Sequence, residues 1–154
     1  VTALILGVDP GRKGALALID PDGTLIDVVD MPDATGAALG THIAHWLADH
    51  SPHHVQTAWV EKVGSMPGQG HMNVFTFGAG YGAILGALGA LEVPVELRTP
   101  NVWKKAMRCT ADKGSSRQRA TELWPDRARY FSLVKHDGRA EAALIAEYGR
   151  RQAT

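Results

Sequence analysis

A mixed α/β sheet covered by helices is the fold class this sequence predicts, and three observations carry the prediction. Strand-like apolar runs crowd the start of the chain, with connections too short to hold a helix. Strand and helix patterns then alternate, and the last third reads as helices alone. With 154 residues and 45% hydrophobic content the chain suits one domain over 1–154, large enough for a continuous core without disulfide staples.

Residues 3–9, 14–20 and 24–30 read as strands, the last two joined by Pro21-Asp-Gly23, whose Pro and Gly suit a tight reversal. The connection 10–13 is also too short for a crossover, so three antiparallel strands are expected to open the sheet. Residues 34–50 place Leu39, Ile43, Trp46 and Leu47 at helical spacing. The strand over 55–61 follows that helix, which predicts a parallel pairing with the first strand. Next come a Gly/Pro-containing loop over 62–73, a long helix over 74–91 and a short fifth strand over 93–97. Helices over 101–107, 116–124 and 137–150 complete the chain, with a polar, mobile segment expected over 108–115.

The formal charge is zero, but it is unevenly placed. Up to Leu97 there are 3 Lys/Arg against 10 Asp/Glu, and from Arg98 onward 13 against 6. A basic C-terminal half is what a phosphate-binding face needs, although the two halves could equally neutralise one another across the fold. Cys109 is alone and cannot form an internal disulfide, which fits a reducing compartment. No basic-then-apolar leader opens the sequence and no apolar run approaches the roughly 18 residues a membrane span requires, so a cytoplasmic protein with no membrane partner is expected.

Two strand ends carry the chemistry. Asp9 closes the first apolar run before Pro10-Gly11, and Glu61 closes the run over 55–61 in the same way. If those strands lie side by side, the two carboxylates become neighbours at the end of an open α/β sheet where ligands bind. In the last helix Glu141, Leu144, Ile145 and Tyr148 share one face, so an acid stands in line with the stripe that should meet the core. Asp137 lies one turn earlier. Four acids on three elements could hold two Mg²⁺ ions about 4 Å apart, the arrangement for phosphodiester cleavage. Each acid also has a plainer role. Asp9 could open a turn, Asp137 could cap a helix, and Glu61 and Glu141 could form exposed ion pairs.

Around these acids, Lys104, Lys105, Lys113, Arg117, Arg119 and Arg139 are candidates to bind phosphates, and a lysine such as Lys113 could stabilise charge at the scissile group. Met66, Pro67 or Phe75, following Glu61, could act as an apolar wedge against unstacked bases. Seven histidines form no convincing transition-metal set. His136, beside Asp137, could take part in proton transfer. Gly78-Ala-Gly80-Tyr-Gly82-Ala83 matches a dinucleotide fingerprint and raises an oxidoreductase reading, but the run before it is short for a core strand. Gly78, Gly82, Gly86 and Gly89 fall on one helical face, which favours close packing of another backbone and a dimer contact.

Taken in order, Gly7-Val-Asp9-Pro-Gly11, Trp59-Val-Glu61, the glycine helix from Phe77 to Gly86, the stretch Pro94 to Lys105 and Asp137-Gly-Arg-Ala-Glu141-Ala142 resemble RuvC-type Holliday junction resolvases, especially the divergent phage-type branch. The resemblance spans nearly the whole chain. It implies an RNase H-like fold with a five-stranded mixed sheet and a homodimer. It also implies Mg²⁺- or Mn²⁺-dependent paired nicking of four-way DNA junctions in a bacterial or phage-infected cell. Carried over by position, Asp9, Glu61 and Glu141 look like metal ligands with Asp137 the fourth, and the family's lysines after the fifth strand correspond to Lys104 or Lys105 and to Lys113. One departure stands out: better-known resolvases place an acid or histidine three residues before the final acid, where this chain has Gly138. A branched-DNA-binding protein without turnover is the alternative from a different class.

Overall fold

The computed structural model describes residues 1–64 and 67–153. Its frame is a five-stranded sheet of β1 (Ala3–Asp9), β2 (Ala15–Ile19), β3 (Leu25–Asp30), β4 (His54–Glu61) and β5 (Val95–Arg98), in the order β3-β2-β1-β4-β5. β1, β2 and β3 run antiparallel in meander, while β4 pairs parallel to β1 and β5 parallel to β4. This is the expected mixed sheet, with β1 at its centre.

The sheet is covered on both faces, which is why β1 reads as a continuous apolar run. Ile5 faces one core together with Ala15, Ala17 and Trp59, and Leu4, Leu6 and Val8 face the other. The first core is closed by α3 (Pro100–Ala106), α4 (Lys113–Leu123) and α5 (Asp137–Gln152), the second by α1 (Gly36–Ala48) and α2 (His71–Ala90). The turn after β2 is set by Asp20, whose carboxylate accepts from the Asp22 and Thr24 amides at 3.0 and 2.9 Å. Gly23 sits there at φ 90°, a conformation that favours glycine.

α5 lies against β1 and β2 closely enough that side chains are excluded from the contact. A Cβ on Gly7 would overlap the Ala142 carbonyl and the Ala146 backbone, and one on Gly138 would overlap the Lys13 carbonyl. The small residues therefore draw the first turn of α5 onto the turn that follows β1. That contact places Asp137 and Glu141 beside the end of β1.

Several boundaries depart from the sequence reading. α2 begins at His71, three residues before the expected start. α4 begins at Lys113 because the Asp112 carboxylate accepts from the Gly114 amide at 3.1 Å and caps the helix, so part of the segment expected to be mobile is helical. Two 3₁₀ segments, Pro125–Phe131 and Val134–His136, fill the space before α5. β5 lies two residues later than its expected start.

α2 departs from the sequence reading in its start and its length, and its glycine face stands open. Residues 74–77 are helical, so no strand precedes Gly78 and the dinucleotide reading loses its structural context. Only Ile84 and Leu88 of this helix are fully buried, and nothing lies within 4 Å of a Cβ placed at Gly78, Gly82, Gly86 or Gly89. The glycine face receives no backbone from within the described chain. Finally, α2 has 20 residues and no charged side chain, and by length and composition alone it is apolar enough to cross a membrane, contrary to the expectation of no such run.

Candidate active site

The parallel register of β1 and β4 pairs Val8 with Val60, which sets Asp9 and Glu61 side by side at the carboxyl ends of adjacent strands. By strand alternation both lie on the face that carries Ile5, Gly7 and Trp59, the face covered by α5. Asp137 and Glu141 reach the same end from the first turns of α5. The four acids singled out in the sequence thus come from three elements to one end of the sheet.

Each of three acids is engaged by a donor from α3 or α4. The buried Trp103 indole donates to Glu61 Oε2 at 2.8 Å. The Lys104 ammonium lies 3.4 Å from Glu141 Oε1 and 5.4 Å from the centroid of the Trp103 ring. Arg117 Nε donates to Asp137 Oδ1 at 2.7 Å. Burial raises the Glu61 carboxyl above its ordinary range and the nearby Glu141 charge adds to this, while the Trp103 bond and Lys104 oppose it.

These residues fit a hard divalent cation in kind: they are oxygen donors, and a protein ammonium already stands against one of them. In distance they are not gathered. Among the described residues no three Asp, Glu, His or Cys side chains stand close enough to hold a metal ion. Asp137 has the most specific other partner, since its Oδ1 accepts a charge-assisted bond from Arg117. The Gly138 departure also has a physical reason. A side chain at that position would run into the Lys13–Gly14 backbone, so only glycine fits there.

The basic residues divide by partner. Arg139 makes a two-pronged pair with Asp30 at 2.7 and 2.9 Å, and Arg119 donates to the Met107 carbonyl and pairs with Glu122. Lys104 and Arg117 face the acids, and Lys105 is exposed on α3. The side chain of Lys113 and all of Met66 lie outside the described residues. Phe75 is 73% exposed on α2, and Met72, one turn earlier, is 76% exposed. His136 is buried with Nδ1 accepting from the Leu133 amide at 3.2 Å; burial lowers its pKa, and Arg139 and Lys135 lower it further.

Sequence reasoning passed over Trp103, although its place directly before Lys104 on a short polar helix was visible. It also missed the tie between α2 and the Asp9 turn, where the Phe77 ring comes within 3.4 Å of a Cβ placed at Gly11.

The sheet order, the mixed strand directions and the helices on both faces define an RNase H-like fold. Among solved structures the chain is similar to Thermus thermophilus RuvC in complex with Holliday junction substrate, at 18% identity and a TM-score of 0.66, with 99% of this chain and 97% of that one covered. A second structure of Thermus thermophilus RuvC gives a TM-score of 0.65 at 18% identity, covering 98% and 97% of the two chains. No family model matches the chain, and no curated protein matches it in sequence.

Proposed function

We propose that this chain is a metal-dependent, structure-selective endonuclease that resolves four-way DNA junctions by paired nicks, a RuvC-type resolvase of the divergent phage-type branch. The observation that carries the reading is that Asp9, Glu61 and Glu141 come from three elements to the same end of the sheet, short of ligand distance from one another, with the Glu61 carboxyl raised above its ordinary range by burial and by Glu141. Carboxylates are costly to bring together in a desolvated place unless a cation offsets them. The fold's similarity to a protein solved with a Holliday junction supports the same reading.

In this reading Asp9, Glu61 and Glu141 hold the cations, and Asp137 is the fourth ligand once Arg117 releases Oδ1. Two bound Mg²⁺ or Mn²⁺ ions would supply activation of a water and stabilisation of the leaving oxygen. Lys104, Lys105, Lys113, Arg117, Arg119 and Arg139 are assigned to the phosphate backbone, with Lys104, Arg117, Arg119 and Arg139 exchanging the protein acceptors they hold in the DNA-free chain for phosphates, and Lys113 is assigned to the charge developing at the scissile phosphate. Met66 and the exposed Phe75 are assigned to the unstacked bases. The open, uncharged face of α2 is where a second copy would dock, giving two sites for a symmetric junction.

A nicking panel tests this directly. Four-way junctions, forks, flaps, RNA–DNA hybrids and linear duplex are incubated with the protein, with and without Mg²⁺. The expected result is symmetric, Mg²⁺-dependent nicking of the four-way junction above the others. The second reading, a junction-binding protein without turnover, draws on the engagement of Glu141 and Asp137 by Lys104 and Arg117. It predicts a mobility shift of intact junctions under both conditions.

A further inference from the structure

α3 carries two consecutive side chains that reach two different carboxylates. The Trp103 N–H holds Glu61 Oε2 at 2.8 Å from a ring with no solvent exposure. Lys104, next along the helix, puts its ammonium 3.4 Å from Glu141 Oε1, over the same ring at 5.4 Å from its centroid. Glu61 and Glu141 feel one another's charge, and Lys104 acts on Glu61 as well. A protein cation therefore stands among the acids, resting on the ring that fixes one of them.

The two neighbours do different things chemically. An indole N–H orients a carboxylate without neutralising it, and it occupies only one of roughly four acceptor positions on the two oxygens. The bond thus leaves Glu61 most of its capacity as a ligand. The ammonium neutralises Glu141 instead, and hard-cation binding at that oxygen has to compete with it. Removing that positive charge should therefore strengthen the binding of a divalent cation at the same carboxylate, by an amount that solvent screening keeps modest.

Resting on the reading of Asp9, Glu61 and Glu141 as metal ligands, we propose that α3 sets the metal affinity of this centre. Trp103 is a positioning residue that holds Glu61 for the ion, and Lys104 is the resident counter-charge that a divalent cation displaces.

The test is Mn²⁺ titration of the full chain without DNA, by calorimetry and by tryptophan emission. Trp103→Phe keeps an apolar ring and removes the N–H; it is expected to weaken binding about tenfold, as loss of a partner that orients a ligand does, and to lose the Mn²⁺-dependent emission change. Lys104→Gln is expected to tighten binding about tenfold. Lys62→Gln, an exposed charge beside Glu61 in sequence, controls for bulk electrostatics and should stay within about twofold of wild type. Wild-type affinity in a folded Trp103→Phe protein, or Lys104→Gln no tighter than Lys62→Gln, overturns the inference and leaves the acids as ligands. Absence of Mn²⁺ binding by the wild-type chain overturns the ligand reading and the inference together. If Trp103→Phe does not fold, the comparison of Lys104→Gln with Lys62→Gln decides.

Discussion

α5 and α2 both carry glycines within helices, and the two sets have opposite meanings. In α5, Gly138 lies against the Lys13–Gly14 backbone and Gly149 against the Trp59 ring, with no space for a methyl group. In α2, the glycines at 78, 82, 86 and 89 face open space. The first set lets a helix approach the central strand and brings two acids to its end. The second leaves an uncharged face with nothing from the described chain within 4 Å of a Cβ placed at its glycines. A glycine that sacrifices helix propensity is thus informative only together with what approaches it.

The sharpest way to break this comparison is to fill the α5 contact. Gly7→Ala or Gly138→Ala forces backbone against backbone, and each is expected to cost roughly 3 kcal/mol or more, read as a lower denaturant midpoint. A near-neutral result for both would mean that α5 does not depend on close approach.

A smaller effect is expected at the far end of α5, where Glu147 is buried and accepts from Arg150 and Arg151 at 2.7 to 2.8 Å. Burial pushes its carboxyl up, but the two guanidiniums outweigh burial and hold it below the usual range. Its folded pKa is therefore depressed, so the stability it contributes is present above the ordinary glutamate range and is lost as pH falls through the folded value. Glu147→Gln is expected to cost about 1.5–3 kcal/mol at neutral pH, a gap that closes in acid when melting temperatures are compared across pH.

On α2 the sign should reverse. Gly82→Ala and Gly86→Ala are expected to stabilise the isolated chain by about 0.4–1 kcal/mol, because the helix gains propensity and the added methyl meets nothing. Dimerisation through this face would show in the same variants as a weakened, concentration-dependent association in sedimentation. Destabilisation at high dilution would mean that the chain itself covers this face.

The contrast also marks what the sequence made legible. Asp9 and Glu61 could be paired because two apolar runs ended in acids and a helix between them dictated parallel strands. Gly138 was noticed as a departure, yet its cause lies in a contact with residues more than a hundred positions earlier. Periodicity placed the α2 glycines on one face correctly, but it says nothing of what stands opposite. The bond from Trp103 to Glu61 spans 42 positions and depends on how a seven-residue helix sits on the sheet. Likewise, nothing in the spacing of the sequence foretells the pairings of Arg117 with Asp137 and of Arg139 with Asp30.

The central claim is that the acids at the end of β1 and β4 cut DNA, and Asp9→Asn tests it most directly. The measurement is Mg²⁺-dependent nicking of a synthetic four-way junction, with binding of the same junction followed in parallel. Nicking should fall by at least about 10³-fold while junction affinity stays within about threefold, since the change removes one charge from the proposed metal site and leaves the residues proposed to bind phosphates untouched. An Asp9→Asn protein that nicks at the wild-type rate would contradict the account.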